Sequence, residues 1–149
     1  MRDPFDRITA SFDAQGLMHT LGAEMTHVAE GEVHIALLPR PELAQQDGYT
    51  HAGALTSVLD SACGYAAMTV APAGCNVLTV EFKANFLRPA LADRFLAVGK
   101  VRKAGKTLTV CEGELFGITG DTREVIAIMQ ATIINLAARQ AAGGGESFS

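Results

Sequence analysis

Apolar positions along this chain recur with a helical period in some stretches and alternate with polar ones in others. The changes between the two mark its elements. Phe5, Ile8 and Phe12 stand at helical spacing and predict a short amphipathic helix over residues 4–15. Residues 20–29 and 32–38 read as strands joined by a hairpin turn at Glu30–Gly31, and Pro39-Arg40-Pro41 ends the second. Residues 42–50 form a polar loop, with a turn of helix at Glu42–Gln45. From His51 to Val70 almost every side chain is small or apolar, which predicts one long buried helix, stopped by Ala71-Pro72-Ala73-Gly74. Beyond it, Leu78, Val80, Phe82, Ala84 and Phe86 alternate with Thr79, Glu81, Lys83 and Asn85, predicting a strand with one buried and one polar face. Three more strands follow over 94–102, 107–118 and 124–136, separated by turns at Ala104-Gly105-Lys106 and Thr119-Gly120-Asp121-Thr122.

Tight turns between the later strands require antiparallel pairing, and a helix apolar nearly all round needs cover on several sides. The expected fold class is therefore α+β: a six-stranded antiparallel sheet wrapped around one long central helix, in a single domain over residues 1–136. The Gly-rich tail 137–149 is expected to be disordered. An open sheet leaves an edge strand, which antiparallel pairing with a second copy across a two-fold axis would cover.

Composition narrows the function. The 149 residues carry a net charge of −4, which disfavours general nucleic-acid binding. No apolar run is long enough for a transmembrane helix and no signal-peptide pattern opens the chain, so a cytoplasmic, membrane-free protein is expected. Cys63, Cys75 and Cys111 are scattered, which suggests reduced thiols and no zinc framework. His19, His27 and His34 have no second ligand at metal spacing and read as ordinary histidines, so no metal is expected.

The chemistry concentrates at Gly48-Tyr49-Thr50-His51-Ala52-Gly53 and at Asp60, seven residues past Gly53. Asp60 is the one charge between Thr56 and Met68. A carboxylate in such a helix is costly to bury. On the helix it shares a face with Thr56, Ser57, Cys63 and Gly64, all small enough to let a ligand approach, while Leu55, Val58, Leu59 and Ala62 form the packing face. The helix start offers free N–H groups at a positive dipole end. An acid and a set of anion donors on one element suggest acyl transfer; a purely structural, hydrogen-bonded aspartate is the alternative.

The segment Gly48–Asp60 resembles the signature of hotdog-fold acyl-CoA thioesterases of the phenylacetate-degradation (PaaI-like) type. Gln45 stands at that family's amide position, His51-Ala52-Gly53 at its His-Gly-Gly, and Asp60 at its acid. Thr79–Ala90 and Lys103–Leu108 also resemble family segments, and the likeness covers about residues 20–136. The departures are Ala52 for the first glycine and Gln45 for the commoner asparagine. The resemblance implies hydrolysis of a small, medium or aryl acyl-CoA, with coenzyme A as part of the substrate and no separate cofactor. Ala52 and Gly53 N–H groups would hold the oxyanion, and Asp60 would be general base or nucleophile, acting at an interface with a second subunit. Gln45 would position water or carboxylate, and Thr79 would bond the attacking water from the partner or be an ordinary strand threonine. His51 is favoured as a structural helix-start residue over an acid–base group. Arg88, Arg102, Lys103 and Lys106, with Gly105 and Thr107, would form a rim for coenzyme A phosphates; individually they also suit solvated turns. Ser57, Gly64, Tyr65, Met68 and Phe86 would line the acyl pocket. A homodimer, and from it a dimer of dimers, is implied. A non-catalytic acyl-CoA-binding module and a hotdog dehydratase with His51 as its histidine are the rival readings.

Overall fold

A computed structural model describes residues 3–137. Its elements run α1 (Asp6–Ala14), α2 (Gly16–Leu21), β1 (Glu24–Ala29), β2 (Glu32–Leu37), a 3-10 turn (Pro41–Leu43), α3 (Ala52–Val70), β3 (Cys75–Phe86), β4 (Arg94–Ala104), β5 (Leu108–Thr119) and β6 (Thr122–Ala137). The strands form one antiparallel six-stranded sheet in the order β1-β2-β4-β5-β6-β3, and α3 packs against one face of it. This is the expected hotdog arrangement. Except for Ala137, which ends β6, the tail expected to be disordered lies outside the described residues.

Two differences from the sequence reading change the picture. Residues 16–21 are helix, so the first strand starts at Glu24 and not at residue 20. The stop signal is Gly22, which takes φ 70° and donates its N–H back to the His19 and Met18 carbonyls. That left-handed cap suits glycine. The second difference concerns β3. Its register against β6 shifts between Thr79 and Glu81, where Val80 forms a bulge. A bulge reverses which residues face each side. Thr79 consequently turns toward α3, while Leu78 and Val80, expected to be buried, are 58% and 53% exposed. β3 is one edge of the sheet, and Phe82 and Phe86 are exposed along it together with Leu78 and Val80.

The hairpin between β1 and β2 corrects a third expectation. His27 and His34 face each other across the strand pair and Glu32 lies beside them, so these histidines do have ligand-type neighbours. The spacing along the chain hid this, because the turn folds the two histidines together.

The helix sits very close to the sheet. Gly99 of β4 and Gly113 of β5 are directly opposite one another in register, beneath Leu59, Ala62 and Cys63 of α3. A methyl group on Gly99 would lie 2.4 Å from the Ala62 carbonyl and 2.6 Å from the Cys63 nitrogen. On Gly113 it would meet only side chains, Leu59 Cδ1 at 2.8 Å and Cys63 Sγ at 3.0 Å. Cys63 is thus part of the packing face, wholly buried, and not of the open face around Asp60. α1 closes the other side, with Ile8 and Phe12 in the core and the Arg7 guanidinium donating to the Met68 carbonyl at 2.8 Å.

Backbone cannot turn aside as side chains can, so Gly99→Ala is expected to destabilise the protein by at least about 2 kcal/mol. Gly113→Ala should cost clearly less. Urea unfolding of the two variants checks this; equal losses would show that the helix–sheet distance is not set at Gly99.

Candidate active site

Asp60 projects from the middle of α3 into an open cleft of about 490 Å³ between the helix, β3 and the N-terminal helices. Its Oδ1 accepts a hydrogen bond from Thr79 Oγ1 at 2.8 Å. The partner is therefore a threonine of the same chain, and it holds the carboxylate directly. The β3 bulge creates this contact by aiming Thr79 inward. Burial raises the Asp60 pKa above its ordinary value, and the Thr79 hydrogen bond partly offsets that rise. A half-buried carboxylate with a raised pKa and one hydrogen-bond donor is a stronger base than a solvated one.

Gly64, one helical turn beyond Asp60, lines the same cleft, and a side chain there would meet nothing within 4 Å. Tyr65 and Met68 also line it, as expected. Three further groups were missed from the sequence. Gln15 Nε2 donates to the Tyr65 hydroxyl at 3.0 Å, Ser11 Oγ lies 3.2 Å from the same oxygen, and Ser61 Oγ donates to Gln15 Oε1 at 3.4 Å. Ser61 is Asp60's neighbour on α3, whereas Gln15 and Ser11 come from a segment about fifty positions away, which no local spacing could connect.

The start of α3 forms a second site. His51 caps it, its Nδ1 accepting the Gly53 N–H at 2.8 Å, which requires the ring proton to sit on Nε2. This is the structural role favoured for His51. The Gly53 N–H, expected as an oxyanion donor, is bonded to this imidazole. The ring explains the glycine, because a Cβ at position 53 would lie 3.0 Å from Nδ1. The Ala52 N–H has no acceptor among the described residues, and Ala52 is exposed with no positive φ, so its methyl is tolerated. Gln45, Phe86 and Arg88 flank it in a cleft of about 530 Å³. Gln45 is tied to its own loop, its Oε1 accepting the Asp47 N–H. Arg88 donates to the Val125 carbonyl at 2.7 Å. Ser57 lines neither cleft; its hydroxyl turns back to the Gly53 carbonyl at 2.8 Å.

The expected basic rim is not gathered in one place. Arg88 lies by the helix start. The Gly105–Thr107 turn is held at the opposite end of the sheet, where Asn135 Nδ2 donates to the Gly105 and Lys106 carbonyls at 3.2 and 3.1 Å. That is the Thr79 end, since Val77 and Thr79 pair with Asn135 and Ile133. Lys103 and Lys106 are exposed, and Arg102 sits 3.6 Å from Glu112 in an exposed ion pair. Burial pushes the Cys111 thiol up to about 12 and that of Cys63 higher still, so these two stay protonated near neutral pH.

Residues 47–123, from the loop before the helix to the last hairpin, match the thioesterase superfamily. The chain belongs to that superfamily, and fold and family together define a hotdog thioester hydrolase. A thioesterase family protein from Silicibacter pomeroyi is 40% identical and superimposes with a TM-score of 0.88 over 91% of this chain and 100% of that one. A Saccharolobus solfataricus protein, named for an expected esterase activity, is 31% identical over 76% of this chain and 81% of its own length. The PaaI protein of the E. coli phenylacetic acid degradation operon shares the fold, with a TM-score of 0.81 at 20% identity over 91% of this chain and 94% of that one. Among the described residues, no helix is long and apolar enough to cross a membrane.

The raised pKa of Asp60 has a consequence for stability. The folded chain holds this proton more tightly than the unfolded one, so Asp60 favours folding at low pH, and that advantage is lost as pH rises through the folded value. Asp60→Asn removes the charge and keeps an acceptor for Thr79. Its stability relative to wild type is expected to improve between about pH 4 and pH 7. Thermal unfolding at the two pH values checks this, and a relative loss at the higher pH would contradict the direction.

Proposed function

We propose that this chain hydrolyses acyl-CoA thioesters, with Asp60 as general base or nucleophile and the start of α3 as oxyanion site. The observation that carries the reading is the half-buried Asp60 carboxylate, held by Thr79 and facing an open cleft. In this reading the Ala52 N–H and the dipole of α3 receive the oxyanion. The Gly53 N–H joins them when the His51 ring moves off it. Gln45, beside Ala52, orients the attacking water or the carboxylate. Arg88 and the Lys103–Thr107 turn bind coenzyme A phosphates. Gly64, Tyr65, Met68 and Phe86 receive the acyl group.

The helix itself supports a site shared by two chains. Ala52 and Asp60 are eight residues apart on α3, which is about 12 Å along its axis. A reacting carbonyl needs donor and base both within about 3 Å. One chain cannot supply both, whereas a second copy placed antiparallel along the β3 edge can bring its helix start to this Asp60. The exposed apolar residues of β3 fit such an edge. Dimer and dimer-of-dimers assembly is part of this proposal.

Thiol release from a panel of aromatic and medium-chain acyl-CoAs tests the activity, with Asp60→Asn as control. Turnover is expected to collapse in the variant. Intact binding of acyl-CoA without turnover in the wild type would favour a non-catalytic binding module instead. Ala52→Pro deletes only the N–H at the first helical position, where proline is well accommodated. It is expected to lower kcat by about 100-fold or more while the fold persists. Mixing it with Asp60→Asn should restore about a quarter of wild-type activity, because half of a statistical mixture is heterodimer with one intact site of two. No restoration would place both groups in one chain.

Thr79→Val tests the electrostatics. The lost hydrogen bond leaves burial unopposed, so the Asp60 pKa rises further. The base must be ionised, so the acid limb of kcat/KM is expected to move to higher pH. A limb that stays in place would separate Thr79 from the ionisation that governs rate.

A further inference from the structure

The geometry points to a divalent transition-metal site on the outer face of the β1–β2 hairpin, formed by His27, Glu32 and His34. His27 and His34 are register partners on adjacent antiparallel strands, with ring centroids 4.6 Å apart. Glu32 Oε2 lies 2.7 Å from His34 Nε2 and 4.0 Å from His27 Nε2. One ligand atom from each of the three falls within 4.8 Å of the others. Ligands about 2.1 Å from a common ion stand about 3–3.4 Å from one another. The His34–Glu32 pair must therefore open slightly and the His27 ring swing inward. That ring is 47% exposed and free to turn.

The backbone beneath the cluster is fixed. β2 pairs with β1 on one side and β4 on the other, and the Gly31 N–H of the turn is bonded to Thr69 Oγ1 at 2.7 Å. The ligand positions are thus preorganised, and only side-chain rotation is needed. Two imidazoles with one carboxylate suit zinc, nickel or copper(II) and not calcium or magnesium, which prefer all-oxygen shells. Lys100 Nζ, 3.6 Å from Glu32 Oε1, holds the second carboxylate oxygen and leaves Oε2 to the ion. Its charge also opposes a cation, so the affinity is moderate. Water completes the shell on the exposed side. Glu32 and His34 alternate along β2 with the buried Val33, Ile35 and Leu37, so the cluster lies on the sheet face opposite α3 and Asp60. The bound ion would clasp the outermost hairpin without entering the hydrolytic reaction.

Calorimetric titration of zinc chloride into the metal-free full chain tests this. One ion per chain is expected, with binding weakened at least about tenfold in each of His27→Ala, His34→Ala and Glu32→Gln. His27 is exposed, so its variant should fold even if the others suffer. Cobalt(II) should give a spectrum of nitrogen and oxygen ligands with no thiolate charge-transfer band. Absence of binding in wild type, affinity unchanged in His27→Ala, or a thiolate band pointing to Cys75 would each overturn the proposal.

Discussion

The distance between α3 and the sheet is the constraint on which the rest of this molecule depends. Gly99 and Gly113 lie side by side without side chains; the backbone of Ala62 and Cys63 rests on Gly99, and the Leu59 and Cys63 side chains rest on Gly113. A helix so close cannot slide or roll without striking β4. Its rotation about its own axis is therefore set, and with it the direction of every side chain it carries. Leu55, Val58, Leu59 and Ala62 are driven into the core, and Asp60 is left at the margin, neither solvated nor sealed. A looser seat would let the carboxylate turn to water and lose its raised pKa.

Asp60 needs a second device, because a carboxylate at such a margin requires at least one donor. The donor comes from an irregularity. Had β3 been a regular strand, Leu78 and Val80 could have faced the helix and Thr79 the outside. The bulge at Val80 reverses that order, presents Thr79 to Asp60, and leaves two large aliphatic side chains exposed on the edge. One backbone irregularity thus serves both the site and the apolar edge that the proposed dimer would cover.

Much of this was legible along the chain. Periodicity marked the long helix to within one residue and each of the six strands, since amphipathic alternation records burial directly. The lone charge in an apolar helix marked Asp60. What was not legible depended on contacts between distant segments or on a single extra residue. The bulge leaves the alternation of β3 looking regular, so its faces were misread. Gln15 and Ser11 reach Tyr65 from the N-terminal segment some fifty positions away. His27 and His34 become neighbours only through the hairpin. His51 could be read as a cap, but the cost of that cap, an occupied Gly53 N–H, follows from ring orientation alone.

The same rigidity bears on why a shared site suits this fold. An α-helix is a ruler, and α3 keeps its donor end and its carboxylate at a fixed separation that no side-chain motion can close. A chain that relied on its own two groups would need a loop to carry one of them across. Loops are softer than helices, and softness in placing an oxyanion donor is costly to rate. Antiparallel pairing of two rigid helices brings a donor end to each carboxylate with no mobile part, and generates two equivalent sites by symmetry. In the proposed assembly, then, the edge strand is as much a part of the reaction as Asp60, because its pairing sets the distance between base and oxyanion donor.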